Sequence, residues 1–220
     1  MTGRISPNVD PKQIVHAGYD ACADAYAAAR AEDDADQLRP LLNVLPKGSS
    51  VLDLGCGAGA PIARALSKRY GVTGVDISQA MIRLARANVP EARFFHGDVT
   101  EIALDEGSFD ATVAIFMLFH VPCGEHGRLF ERVWSWLRPG GHFLVTLTQD
   151  GDPARVRHDF FGTDMYWSSL AFDESIELLE KAGFEIVHER IIGHGYGQTF
   201  VERDERNPMT LVQKPLSASG

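Results

Sequence analysis

Two acids and three glycines are the residues best placed to do chemistry: Asp53, Gly55, Gly57, Gly59 and, further on, Asp76. Glycine at every second position strips away the Cβ atoms that would hold a ligand off the backbone, and it permits the positive φ of a sharp strand-to-helix turn. The G-x-G-x-x-G spacing of a dinucleotide fingerprint is missing; the spacing is G-x-G-x-G with Asp53 just ahead of it. A carboxylate there is a poor neighbour for phosphate and a reasonable one for an ammonium or sulfonium group. Asp76 follows at about the ~20-residue interval at which doubly wound folds place an acid for ribose hydroxyls.

The elements needed to position these residues can be read around them. The apolar run Val51 to Leu54 predicts a strand, and Ile62 to about Tyr70 a helix, with Gly71 placed as its C-terminal cap. Val72 to Val75 predicts a second strand, and Ser78 an N-cap for the helix carrying Met81. A third strand is expected over Arg93 to His96, ending in Gly97-Asp98-Val99, and a central buried one over Phe109 to Leu118. A helix from Glu125 to Leu137, the turn Arg138-Pro139-Gly140-Gly141 and a strand from His142 to Leu147 complete the core. Alternating strands and helices imply a doubly wound α/β fold with a mostly parallel sheet.

Ahead of this core, Pro11 to about Gln37 reads as an alanine-rich helix with Tyr19 and Tyr26 on one face, then a helix near Gln37 to Leu45. The acidic run Glu32 to Asp36 reads as solvated. Behind the core, Gln149 to Ser169 reads as irregular and aromatic, Asp173 as the cap of a helix to Lys181, and Phe184 to Ile192 as a strand. Glycines crowd Gly193 to Gly197, Met209 to Gln213 reads as a final edge strand, and Ser217 to Gly220 as a frayed tail.

Asp-x-Gly-x-Gly-x-Gly at Asp53 to Gly59, Gly97-Asp98-Val99 after the third strand and Leu-Arg-Pro-Gly-Gly before a strand resemble motifs of the class I S-adenosylmethionine-dependent methyltransferases. The resemblance covers roughly Tyr19 to Pro215 and thins after Gln149. It implies a Rossmann-like seven-stranded sheet with a C-terminal antiparallel strand, S-adenosylmethionine as cofactor, and direct methyl transfer to an O or N atom of a small metabolite. It also implies one domain, with residues 1–45 as a helical lid, 46–148 as the cofactor-binding core, and 149–220 as a substrate-side loop and hairpin.

Carried over by position, the turn Gly55-Cys56-Gly57 with Gly59 takes the methionine part, and Asp76, beside Ile77 and Met81, the ribose. Asp98 and Val99, after Gly97, take the adenine, and Ile115 and Phe116 close the floor. Tyr19 and Tyr26 fall in a segment that covers the cofactor in that family, where a ring can face a sulfonium. Tyr166 and Trp167 match a segment lining the acceptor pocket, and packing on the sheet edge is the other reading. His120 is the best-placed general base; the alternative is a histidine that hydrogen-bonds backbone before Val121-Pro122. His194 is a second candidate near the acceptor, and His96, His126, His142, His158 and His188 read as structural or surface residues. Asn-Pro-Pro-Tyr, a mark of nucleic-acid and protein methyltransferases, is replaced by Ile115-Phe116-Met117-Leu118.

Bulk properties narrow the classes. In 220 residues, 45% hydrophobic and 23% charged, with no linker, one soluble domain is expected. No apolar run approaches the ~20 residues of a membrane span, and Met1 to Gln13 does not resemble a secretory signal. Three scattered cysteines point away from a disulfide framework or a metal site and towards a reducing cytoplasm. A net charge of −9 disfavours a nucleic-acid partner. Two further readings stay open: a cofactor-binding protein that does not transfer, acting in regulation or assembly, and a nicotinamide-dependent oxidoreductase.

Overall fold

The structure is a computed structural model that describes residues 2–3, 10–30, 35–192 and 207–216. In chain order the elements are β1 (Thr2–Gly3), α1 (Pro11–Ala29), α2 (Arg39–Leu42), β2 (Ser50–Leu54), α3 (Ile62–Ser67), β3 (Gly71–Asp76), α4 (Gln79–Asn88) and β4 (Arg93–His96). There follow β5 (Phe109–Ala114), α5 (His126–Trp136), β6 (Leu137–Thr146), β7 (Asp152–Phe160), β8 (Thr163–Ser169), α6 (Phe172–Lys181), β9 (Glu185–Ile192) and β10 (Asn207–Gln213). Seven strands form one sheet in the order β4-β3-β2-β5-β6-β10-β9. β4, β3, β2, β5 and β6 run parallel, and β10 is antiparallel to both β6 and β9. This is the expected Rossmann-like sheet.

Two apolar layers sandwich the sheet. Val51, Val113 and Leu144 pack with Leu66, Ile82 and Leu41 on one face. Leu52, Leu54, Phe143 and Val145 pack with Phe130, Val133 and Leu179 on the other. The central strands are therefore buried on both sides, which is why their sequences read as continuous apolar runs.

Several boundaries differ from the sequence reading, each for a local reason. Gly71 does not cap α3; it opens β3, and its N–H bonds the carbonyl of Ser49. β5 stops at Ala114 because Phe116 takes a left-handed φ of 54°, and Leu118–His120 form a 3-10 turn. The N-cap of α6 is Ala171; Asp173 lies inside the first turn, where it complements the helix dipole, and the Glu174 carboxylate accepts from the Ala171 N–H. β10 lies inside the sheet, and β9 is its edge. Of the acidic run, residues 32–34 lie outside the described residues, as do 193–206, which hold the glycine cluster, and 217–220.

The largest difference lies in 149–169. The stretch is an antiparallel hairpin, β7 with β8, joined by β1 into a second, three-stranded sheet. That hairpin supports α1, and at Gly18 the approach is so close that an added Cβ would lie 2.6 Å from the Asp164 carbonyl oxygen. The helix is thereby laid across the carboxyl ends of β2 to β5.

Candidate functional site

The carboxyl ends of β2, β3, β4 and β5 and the inner face of α1 enclose a cavity, open at its mouth. Its floor begins at the glycine turn. Gly55 and Gly57 hold φ of 69° and 52°, and the Gly55 and Cys56 amides both donate to the Val75 carbonyl, binding the turn to β3. A Cβ on Gly55 would lie 2.2 Å from Met117 Cγ, so only glycine fits there. A Cβ on Gly57 would meet nothing within 4 Å, because that position faces the cavity.

Asp76 ends β3 on the cavity wall, one carboxylate oxygen accepting from the Gly57 N–H at 2.9 Å and the other from the Ser78 N–H at 2.9 Å. Burial raises its pKa against the pull of those amides. Asp53 does not line the cavity. It is buried behind the turn with one oxygen lacking a partner, and burial, with the nearby Asp76 charge, pushes it up to about 8. Burial therefore favours the neutral form of Asp53, and the acid read beside the turn is directed into the protein rather than into the cavity.

Ile77, Met81, Val99, Ile115 and Phe116 supply the apolar walls. Asp98 faces the same space and is already engaged: Oδ1 accepts from the Thr100 amide and hydroxyl at 2.8 Å each, and Oδ2 pairs with Lys12 Nζ at 3.0 Å. Burial raises its pKa, but these contacts outweigh that and hold it below the usual carboxylate value.

Tyr19 and Tyr26 form the roof with their rings edge to face at 5.3 Å. Opposite the glycine turn stands His120, buried on the cavity wall. Its Nδ1 lies 2.9 Å from the Tyr166 carbonyl, which can only accept, so Nδ1 carries the proton. Nε2 is then bare and accepts from the Tyr19 hydroxyl at 2.8 Å. Burial lowers the pKa of His120 to about 4, against the opposing bond to Tyr166, so the ring is neutral. One ring nitrogen of His120 thus bonds a backbone carbonyl, and the other, held by the Tyr19 hydroxyl, lies at the cavity.

Other expected residues sit elsewhere. Cys56 points into the core beside Gly74, and Gly59 packs against Ala85 and Val89 where a Cβ would crowd α4. Gly97 lies against Ile102. Tyr166 and Trp167 stand behind His120: the Trp167 ring is stacked on Phe119 at 4.5 Å and lies 4.5 Å from the His120 ring. Loop aromatics were expected on the pocket wall, but pairing of β7 with β8 turns these two towards the His120 turn. His194 lies outside the described residues.

Lys12, Val15, Thr100, Met117 and Val121 also line the cavity and were missed. A signal existed for the first two, since Lys12, Val15, Tyr19 and Tyr26 share one face of α1, Lys12, Tyr19 and Tyr26 at spacings of seven and Val15 three on from Lys12. Among the described residues no three His, Cys, Asp or Glu side chains are grouped to hold a metal ion, and no helix is long and apolar enough to cross a membrane.

Comparison with known proteins agrees with this geometry. Residues 51–141, which hold the glycine turn, both cavity-lining acids and His120, match the family model described as a methyltransferase domain. The chain is 30% identical over 172 residues, 76% of its length, to a probable S-adenosylmethionine-dependent methyltransferase of Mycolicibacterium smegmatis. It is 39% identical over 113 residues, 50% of its length, to trans-aconitate 2-methyltransferase of Deinococcus radiodurans. The chain spans 63% and 42% of the lengths of these two relatives. Its fold matches Burkholderia thailandensis 1,6-didemethyltoxoflavin-N1-methyltransferase, solved with its acceptor and S-adenosylhomocysteine, with a TM-score of 0.73 at 20% identity over 96% of this chain and 93% of that one.

Proposed function

We propose that the chain is a class I S-adenosylmethionine-dependent methyltransferase that transfers a methyl group by direct displacement to an O or N atom of a small metabolite. S-adenosylmethionine is its cofactor, and when bound it supplies a methyl carbon carried on a cationic sulfur. The residues present fit that group. The space a Cβ would fill at Gly57 is open to the cavity, and Asp76 and Asp98 offer acceptors where hydroxyls and an amino group need them. Gly55 and Gly57 would hold the methionine part, Asp76 the ribose, Asp98 and Val99 the adenine, with Ile115 and Phe116 beneath.

The observation that carries the proposal is the unprotonated Nε2 of His120 on the wall of this same cavity: it accepts from the Tyr19 hydroxyl, which would pass its proton to Nε2 as it takes one from the acceptor. The protein's work in such a transfer is alignment, exclusion of water and removal of one proton. The buried rings of Phe116 and His120 and the part-buried Tyr19 and Tyr26 keep the space apolar. Burial keeps the His120 ring neutral and makes it a weak base, sufficient for a hydroxyl that becomes strongly acidic as it gains a bond to carbon.

The relatives support a small acceptor: one is named for trans-aconitate and another was solved with 1,6-didemethyltoxoflavin. The net charge of −9 supports the same reading over nucleic acid, and the odd number and wide spacing of the three cysteines support a reducing cytoplasm. The position of α1 over the cavity supports residues 1–45 as a lid within one working domain.

His120→Ala is expected to slow transfer ~100-fold while S-adenosylhomocysteine affinity stays within about threefold, since the ring touches acceptor chemistry rather than the glycine turn. The check is a labelled-methyl assay over a panel of small hydroxyl and carboxyl compounds, paired with calorimetry. Wild-type turnover in the variant would leave His120 only its bond to the Tyr166 carbonyl.

A further inference from the structure

Lys12 makes contacts that the proposed transfer does not use. From the first turn of α1 its ammonium reaches Asp98 Oδ2 at 3.0 Å, Thr100 Oγ1 at 2.7 Å and Glu125 Oε2 at 2.7 Å. Two loops are thereby tied to one helix. Asp98 and Thr100 follow β4, whereas Glu125 closes the 3-10 turn Cys123–Glu125 that comes just after His120. The Lys12 side chain is only 20% exposed and that of Asp98 18%, so this is a partly desolvated, three-partner contact rather than a surface ion pair of negligible worth.

The consequence follows from helix geometry. Residues seven apart lie on one face about two turns, or ~10 Å, from each other along a stiff rod. Gly18 against the Asp164 carbonyl and Asp20, accepting from the Ser78 hydroxyl and the Ala80 amide, hold the middle of the helix. Lys12, over the Asp98 and Glu125 loops, sets the end of the face on which Tyr19 falls. Tyr19 falls with its hydroxyl 2.8 Å from His120 Nε2. Lys12 also orients Asp98, since Thr100 takes one carboxylate oxygen and Lys12 takes the other, leaving a lone pair of Oδ2 for a ligand's donor.

We infer that Lys12 is a positioning residue: by holding the lid helix to the Asp98 and Glu125 loops it sets the Tyr19–His120 hydrogen bond and aims the Asp98 carboxylate into the cavity. The second half rests on the reading of the cavity as an S-adenosylmethionine site. The first half rests on contacts within the chain alone.

The test is nitrogen NMR of the ligand-free protein, reading the ring nitrogens of His120 and His142. His142, on β6 beside Ala111 and Gln213, is the internal reference, because none of the Lys12 partners adjoins it. Tyr19→Phe removes the hydroxyl and defines the His120 signal without its donor. Lys12→Met is expected to move the His120 signal in the same direction as Tyr19→Phe and leave that of His142 in place, and Lys12→Arg to restore the wild-type signal. In parallel titrations S-adenosylhomocysteine should bind Lys12→Met about tenfold or more weakly, and Lys12→Arg close to wild type. A Lys12→Met protein with the wild-type His120 signal overturns the inference. So does a shift of His142 together with loss of cooperative melting, which would mark a fold-wide role. If the wild type does not bind S-adenosylhomocysteine, the cofactor reading fails, while the His120 signal still decides what Lys12 does.

Discussion

Asp76→Ala is expected to weaken S-adenosylhomocysteine binding by at least ~100-fold, beyond what loss of one ribose contact would give. The carboxylate does two tasks at once. It faces the cavity, and it accepts from the Gly57 and Ser78 amides, joining the glycine turn to the start of α4. Alanine leaves the buried Ser78 amide without an acceptor, at about 1 to 3 kcal/mol, frees the part-buried Gly57 amide, and removes a charge-assisted acceptor for the ligand. Asp76→Asn is no remedy, because its amide nitrogen would face one of the two N–H groups as donor against donor. Calorimetric titration of the variant, with a melting curve to show that it is folded, reads the effect directly. Affinity within threefold of wild type would remove Asp76 from the site.

The second large effect concerns Asp53, and its sign is opposite to that of most carboxylates. Burial and the charge of Asp76 place its folded pKa at about 8, against an ordinary value of 3.8. Between those values the folded state keeps the proton and the unfolded state loses it, so stability falls as pH rises. The contribution is fully present below pH 4, is lost progressively from there to about pH 8, and is flat above. The slope approaches 1.4 kcal/mol per pH unit, which sums to a few kcal/mol. An asparagine side chain does not titrate, so Asp53→Asn should gain steadily on the wild type from pH 5 to pH 8 in urea unfolding of the ligand-free protein. Parallel stability curves for the two proteins would mean that Asp53 is ionised in the folded state.

The legible part of the molecule was the part where one physical requirement dominates. Val51, Leu52 and Leu54 are apolar because β2 is covered on both faces, and Gly55 and Gly57 are glycines because their φ is positive and Met117 or the cavity lies against them. Those features, with Asp76 and Asp98 at strand ends, are local and readable. The end of β5 was not, since Ile115, Phe116 and Met117 are buried whether the strand continues or bends, and hydropathy is the same in either case. The hairpin of residues 152–169 was hidden for a related reason. It packs against α1 rather than across the main sheet, with Val156, Met165 and Tyr166 buried among charged neighbours, so its alternation is weak. Trp167 was consequently expected on the pocket wall and is found supporting His120. The tautomer of His120 could not be read from sequence at all, because it is set by a carbonyl 46 positions away.

The glycine turn, Asp76 and Asp98 bear on one claim, that this cavity takes an adenosyl ligand rather than a dinucleotide. Calorimetric titration of the wild-type protein with S-adenosylmethionine, S-adenosylhomocysteine and NAD in parallel tests it. Micromolar binding of both adenosyl ligands with none of NAD is the expected result. Binding of NAD alone, or of none of the three, would contradict the claim.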